Sequence, residues 1–179
     1  MSIQVGDKLP EATFMEMTAD GPQPRTTEQV FGGKTVALFA VPGAYTPTCS
    51  ARHLPGFVDK SGDLKAKGVD EIICTSVNDV FVMGAWGKDA GAGETVRMLA
   101  DGNGAFAKAI GLELDASGFG MGQRSQRYSM IVHMHRWHIP LGIRLDDRLN
   151  LLPALAMVAT LEDVERRRGM TLFHKSKDI

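Results

Sequence analysis

Cys49 sits in the stretch VPGAYTPTCSARHLPGF, Val41 to Phe57, with His53 four residues later and Thr46 three residues earlier. The chain holds one other cysteine, Cys74, inside the apolar run IICTS. A lone cysteine is most often a small buried hydrophobe, and Cys74 fits that description. Cys49 fits it poorly. It follows an apolar run and precedes a helical pattern, and the strand-to-helix junction is where open α/β sheets place ligands and reactive groups. First-turn amides at such a junction point at any anion, and a helix start favours a thiolate over a thiol. The tetrad Thr46-Pro47-Thr48-Cys49 has threonine where a dithiol centre would have its first cysteine, so it cannot close a disulfide on itself. The chemistry offered is that of a single thiolate beside a hydroxyl.

The elements that must position this thiol are legible around it. Lys34 to Val41, KTVALFAV, reads as a buried strand after the Gly32-Gly33 turn, and Val69 to Val77, VDEIICTSV, reads as a second. Between them, Ser50 to Lys67 carries Leu54, Phe57, Val58 and Leu64 at helical spacing, with Gly68 as the stop. This β-α-β unit predicts parallel strands and a right-handed crossover. A helix is expected from Val80, capped by Asn78 or Asp79, then a strand at 95–100 and a short helix at 105–110 ended by Gly111. Gly118 to Gly122, GFGMG, reads as a flexible loop, and Arg127 to Val132, RYSMIV, as a further strand. Strands alternating with helices give an α/β fold.

Composition narrows the function. The chain has 179 residues, enough for one domain with a substantial core, and a net charge of −1, which gives no attraction to nucleic acid or an anionic membrane surface. No apolar run reaches the length of a membrane span, and MSIQVGDKLPEATF has neither the apolar core nor the basic cluster of a signal peptide. Two cysteines make no disulfide framework, so a reducing compartment is expected, the cytoplasm being the simplest.

The segment Pro42 to Cys49, PGAYTPTC, resembles the P-x-x-x-T-x-x-C motif of peroxiredoxins, and the longer PGAYTPTCSARHLPGF is similar to the Prx5-type branch, which includes glutathione-dependent enzymes. The resemblance runs through VNDVFVMGAW, RMLADGNGAFAKAIGLELD and RSQRYSMIV, covering residues 3–132. It implies a thioredoxin-like α/β fold, a central mixed sheet flanked by helices, in a redoxin domain spanning 1–132. It also implies that Cys49 is the peroxidatic cysteine, passing through a sulfenic acid. Thr46 is then expected to hydrogen-bond both thiolate and peroxide, and Pro42 to shield the thiolate. Arg127, favoured over Arg124 by its R-Y-S-M context, would stabilise the thiolate and the charge developing on the peroxide. Gly43 would supply a backbone donor or clearance, and His53 a supporting place in substrate binding. The reaction implied reduces hydrogen peroxide and organic hydroperoxides without metal, haem or flavin. With no C-terminal resolving cysteine and Cys74 in a strand, an external reductant is expected: glutathione or glutaredoxin, or else thioredoxin. The relatives' habit implies a homodimer.

After Val132 the resemblance stops. Residues 133–179 hold four of the five histidines and two of the 20 glycines, which suggests a shifted reading frame or a recombined 3′ end. His133, His135 and His138 have a spacing that would suit a metal on one side of a strand, but no cysteine or carboxylate set accompanies them, and metal binding is not the expected reading. Leu151 to Arg168 reads as an amphipathic helix interrupted by Pro153, with Thr160 as a capping start and Arg166 to Arg168 at its end. The loss of the family ending predicts that the strand bearing Arg127 lacks its hairpin partner and lies exposed at an edge. From that follows the alternative to an enzyme: an impaired redoxin acting as a chaperone-like binding protein, or as a redox sensor.

Overall fold

A computed structural model describes residues 2–4, 6–133 and Leu161, and the backbone of 136–141. The expectations for His135, for the side chain of His138, and for the helix 151–168 with its Thr160 start and arginine end lie outside these residues, Leu161 excepted.

The chain opens with a hairpin, β1 (Thr13–Thr18) and β2 (Gly21–Thr26), then α1 (Thr27–Phe31) and β3 (Thr35–Ala40). After the Cys49 segment come α2 (Leu54–Asp59), α3 (Ser61–Ala66), β4 (Glu71–Ser76), α4 (Val80–Asp89), β5 (Arg97–Ala100) and α5 (Ala105–Ala109). A small hairpin, β6 (Glu113–Asp115) and β7 (Gln123–Ser125), precedes β8 (Tyr128–His133) and β9 (Arg136–Leu141). The main sheet has the order β2-β1-β5-β4-β3-β8-β9. Strands β3, β4 and β5 run parallel and the outer pairs antiparallel, so the sheet is mixed.

The apolar run at Val36–Val41 lies inside the sheet, between β4 and β8, where a strand flanked on both sides and covered on both faces must be apolar throughout. Alternate residues serve two cores. Ala37, Phe39, Val41 and Cys74 face α2 and α4, in the cluster that also takes Cys49, Leu54, Phe57 and Trp86. Val36, Leu38, Ala40 and Ile73 face the other side, with Phe14, Phe31 and Phe106. Leu161 is helical and buried in the first cluster, so this residue of the C-terminal segment packs on the core face that carries the cysteine.

Several local signals act as expected. Gly68 takes φ +83 and closes α3, where an L side chain would be strained. Asp79, rather than Asn78, caps α4, its carboxylate accepting from the amides of Phe81 and Val82, both at 2.9 Å. Others went unread. The hairpin β1–β2 was not foreseen, because β2 reads GPQPRT. Its prolines, two apart, place both missing N–H groups on the same side, which a sheet edge tolerates.

The expected exposed edge at the Arg127 strand is corrected. Strand β8 pairs with β3 on one side and with β9 on the other, so it is interior. Residues 136–141 therefore supply a hairpin partner although their sequence departs from the family pattern. The pairing carries a bulge: Ile131 faces Ile139 and Val132 faces Trp137, leaving His138 the extra residue.

Helix α4 lies unusually close to the sheet, and glycine is the reason. A Cβ on Gly87 would sit 2.6 Å from Met98 Cγ, and one on Gly84 2.9 Å from Met17 Cβ. Gly87→Val is therefore expected to destabilise the fold by about 2 kcal/mol through overpacking, seen as a lower urea midpoint with an unchanged slope. An unchanged midpoint would show that Met98 yields freely.

Candidate active site

The site is built where β3 ends. The amide of Val41 still donates to Thr75 O at 3.1 Å, and Pro42, lacking an N–H, ends the strand. Tyr45 takes φ +59, a left-handed turn residue, and its hydroxyl donates to Asp89 Oδ2 at 2.6 Å. Helical backbone begins at Pro47, a favoured first helical position, and the Thr46 carbonyl accepts from the Ser50 amide at 3.0 Å. Cys49–His53 then forms a π-turn, with the Leu54 amide reaching back to Cys49 O. The expected ordinary helix from Ser50 is widened here. Pro55 cannot donate to Ala51 O and its ring crowds that carbonyl, and a wider turn accommodates both effects.

Cys49 Sγ belongs to a fully buried residue. Arg127, one residue before β8, brings its guanidinium to it: Nη2 donates to Sγ at 3.3 Å, and Nη1 lies 2.8 Å from His53 Nδ1. A guanidinium has no acceptor, so His53 Nδ1 must accept and the ring proton must sit on Nε2. His53 is 3% exposed, and its Nε2 has no hydrogen-bond partner among the described residues. Phe39 and Phe57 stack at 3.9 Å and flank the imidazole at 5.2 and 5.6 Å. Burial, reinforced by the positive charge of Arg127, pushes the His53 pKa down to about 3.

The structure brings Arg127 onto Cys49 and directs Arg124 elsewhere. Arg124 instead braces the loop ahead of α4, donating from Nη1 to Val77 O at 2.9 Å and from Nε to Met121 O at 2.8 Å. The Thr46 hydroxyl donates to Gly43 O at 2.9 Å, leaving its lone pairs for another partner. Gly43 provides clearance, since a Cβ there would meet Thr46 Cγ2 at 3.0 Å. Pro42 is partly exposed at the strand end. His53 is placed behind Arg127, buried, rather than on a substrate surface.

Two braces were missed. Asn78 Oδ1 accepts from the Ala44 amide at 3.0 Å and from Ser76 Oγ at 2.8 Å, tying the loop to the end of β4. Trp86 Nε1 donates to Ser50 Oγ at 3.0 Å, tying α4 to the residue after the cysteine. Neither pair has a sequence spacing that would announce it. Cys74 lies beside Phe39 across the β3–β4 pair, wholly buried. Burial, and then the neighbouring charge of a Cys49 thiolate, hold its thiol well above the usual range. His133 Nδ1 lies 2.8 Å from Thr35 Oγ1. Among the described residues no cluster of metal-ligating side chains occurs, and no helix is long and apolar enough to cross a membrane.

The buried imidazole gives a pH signature. Its folded pKa lies below the unfolded value of about 6.5, so the unfolded chain binds the proton first and stability falls as pH drops between those values. The loss should be about 2 kcal/mol near pH 5, relative to neutral pH. His53→Phe should flatten that part of a urea-denaturation pH series, and an identical slope in the variant would place the acid lability elsewhere.

Comparison with known proteins bears on the same residues. The redoxin family model matches residues 4–136. Peroxiredoxin-2B of Arabidopsis thaliana is 48% identical over 131 residues, 73% of this chain and 81% of that protein. Chloroplastic peroxiredoxin-2E of the same plant is 49% identical over 134 residues, 73% of this chain. The chain belongs to the peroxiredoxins. A crystal structure of reduced Prx3 from Vibrio vulnificus superposes with a TM-score of 0.82 at 46% identity, covering 89% of this chain and 99% of that one, and confirms the thioredoxin-like fold. Hybrid peroxiredoxin hyPrx5 of Haemophilus influenzae, 43% identical over 132 residues, supports the Prx5-type assignment. The chain spans 57% of the length of peroxiredoxin-2E and 54% of the hybrid protein.

Proposed function

We propose that this peroxiredoxin is a thiol peroxidase reducing hydrogen peroxide and small organic hydroperoxides. The observation that carries the reading is the Arg127 Nη2 to Cys49 Sγ contact at 3.3 Å in a closed, apolar surround. A fixed cation on the sulfur stabilises the thiolate and, during attack, the charge passing to the peroxide oxygens. The thiolate sulfur bonds to one peroxide oxygen and the O–O bond breaks. The other oxygen leaves as water or alcohol after taking a proton, and Cys49 is left as a sulfenic acid. Because the Thr46 proton is committed to Gly43 O, its oxygen serves as acceptor for the hydroperoxide O–H and orients the substrate.

The sulfenic acid is returned to thiol by an external thiol: one thiol condenses to a mixed disulfide with loss of water, and a second releases Cys49. Burial of Cys74 in β4, with its thiol held protonated, favours this over internal resolution. Glutathione or glutaredoxin is the reading, with thioredoxin as the alternative donor. Two free cysteines suit a reducing compartment such as the cytoplasm. Tyr45, Phe81 and Phe119, exposed by 50, 65 and 85%, lie on the loop after β3, on the first turn of α4 and on the turn between β6 and β7, segments tied together by the Asn78 and Arg124 contacts, and these exposed aromatics support a homodimer formed through the active-site end. The same surface is what a chaperone-like binding protein would use; catalytic turnover separates the two, and a sensor oxidises without turning over.

Intact-mass spectrometry of reduced protein and of Cys74→Ser, mixed briefly with one equivalent of hydrogen peroxide, tests the reading. One added oxygen, mapped to Cys49 and removed by glutathione in both proteins, is expected. Oxidation no faster than that of a free thiol would remove the peroxidase assignment.

A further inference from the structure

We propose that Ser50 is a positioning residue that latches the Cys49 turn shut: its hydroxyl, held by the buried indole of Trp86, sets how often the turn opens to the reducing thiol. This deepens the peroxidase reading and rests on it for its kinetic consequence. Trp86 Nε1 donates to Ser50 Oγ at 3.0 Å, and the two partners differ in freedom. Trp86 is 1% exposed, in the apolar cluster that also holds Cys49, and Gly84 and Gly87 let α4 carry it close against the sheet. Ser50 is half-buried and belongs to the π-turn. The anchor is on α4 and the moving part is the turn.

The turn has little backbone bonding to keep it closed. It is a single wide turn, and Pro55 removes a donor just after it. Residue 50 is pinned by its amide, which donates to Thr46 O at 3.0 Å, and by the indole. Asn78 and Asp89 hold Ala44 and Tyr45, ahead of the cysteine, whereas the Trp86–Ser50 contact holds the segment behind it. While the turn is closed, the indole N–H has Ser50 Oγ in place of water; once the turn opens, water replaces the serine. Removing the hydroxyl orphans a buried donor in the closed state and leaves the open state unharmed, so the balance moves towards opening. The exposed Tyr45–Asp89 bond has no such leverage, because water can substitute for either partner. Opening matters to regeneration, in which the glutathione sulfur bonds to Cys49 Sγ and the sulfenic oxygen leaves as water with the thiol's proton.

The test compares Ser50→Ala, which removes the hydroxyl, with Ser50→Thr, which keeps one, each made alone and with Trp86→Phe. Hydrogen exchange of the amides of residues 50–54 in the reduced protein reads the opening. The rate at which glutathione clears the sulfenic acid, after one equivalent of hydrogen peroxide, reads its consequence. Ser50→Ala should speed both by roughly tenfold, the effect of orphaning one buried donor. Peroxide capture should gain less, because a substrate of a few atoms needs less opening. Ser50→Thr should behave as wild type. With Trp86→Phe no donor is left to orphan, so Ser50→Ala should then change either rate by less than about twofold. A lowered urea midpoint in Ser50→Ala with the turn exchanging as in wild type would mean a bond that serves stability alone, and would overturn the proposal. So would an effect that persists in Ser50→Thr or survives Trp86→Phe. If Trp86→Phe does not fold, the Ala–Thr difference decides. The exchange readout needs neither peroxide nor glutathione: were the wild-type protein unreactive, faster exchange in Ser50→Ala would still sustain the latch and unchanged exchange would refute it.

Discussion

Cys49→Ser should consume no hydrogen peroxide above the uncatalysed background, while its urea midpoint stays within about 1 kcal/mol of wild type in free-energy terms. A serine hydroxyl at neutral pH is not ionised by a neighbouring arginine, and it has no counterpart of the sulfenic acid, so both halves of the cycle are lost together. The fold tolerates the change because the serine oxygen occupies the sulfur position and can accept from Arg127 Nη2. Cys74→Ser should behave in the opposite way. Its hydroxyl would stand in a fully buried apolar strand, costing about 1–3 kcal/mol of stability, yet the peroxide rate should persist. An assay of peroxide loss with glutathione present, beside urea melts of both variants, checks the pair. Residual catalysis in Cys49→Ser would move the chemistry away from the π-turn.

Arg127→Gln should lower the second-order rate with peroxide by roughly 10²–10³-fold, the usual effect of removing a fixed donor from developing charge in a dry site. Glutamine keeps a neutral donor but loses the charge and one prong, so it cannot serve Cys49 Sγ and His53 Nδ1 together. Arg127→Lys should recover only part of the rate, because a compact ammonium cannot span both partners. Stopped-flow kinetics under pseudo-first-order peroxide would measure this, with circular dichroism confirming the fold. A loss below about tenfold would mean that first-turn amides carry most of the stabilisation. The two-pronged contact thus predicts a rank order, Arg above Lys above Gln, that simple charge neutralisation does not.

The central sheet was legible because its strands are short apolar runs that end in turn residues: KTVALFAV and IICTS have no other plausible use. The thiol site was legible because it occupies a local motif. What escaped was set by tertiary contact. Strand β2 is polar and proline-bearing, and it is a strand only because β1 pairs with it. Asn78 looked like a helix cap, yet it holds the Ala44 amide 34 residues away. Thr46 was read only for the cysteine three residues on, and its hydroxyl also has the Gly43 carbonyl three residues back to donate to. The exposed edge expected after Val132 was an inference from a lost family ending, and antiparallel pairing needs a compatible backbone more than a particular sequence.

The complete burial of Cys49 divides the reaction partners by size. At zero exposure not even a water-sized molecule touches the sulfur, so on the proposed reading both half-reactions need the π-turn region to open: slightly for a hydroperoxide a few atoms across, further for a tripeptide thiol, and furthest for a protein donor. The two half-reactions should then respond unequally to anything that stiffens that turn. Higher solvent viscosity, osmolytes or confinement in a lattice would slow regeneration more than the capture of peroxide, so that under such conditions the oxidised protein accumulates.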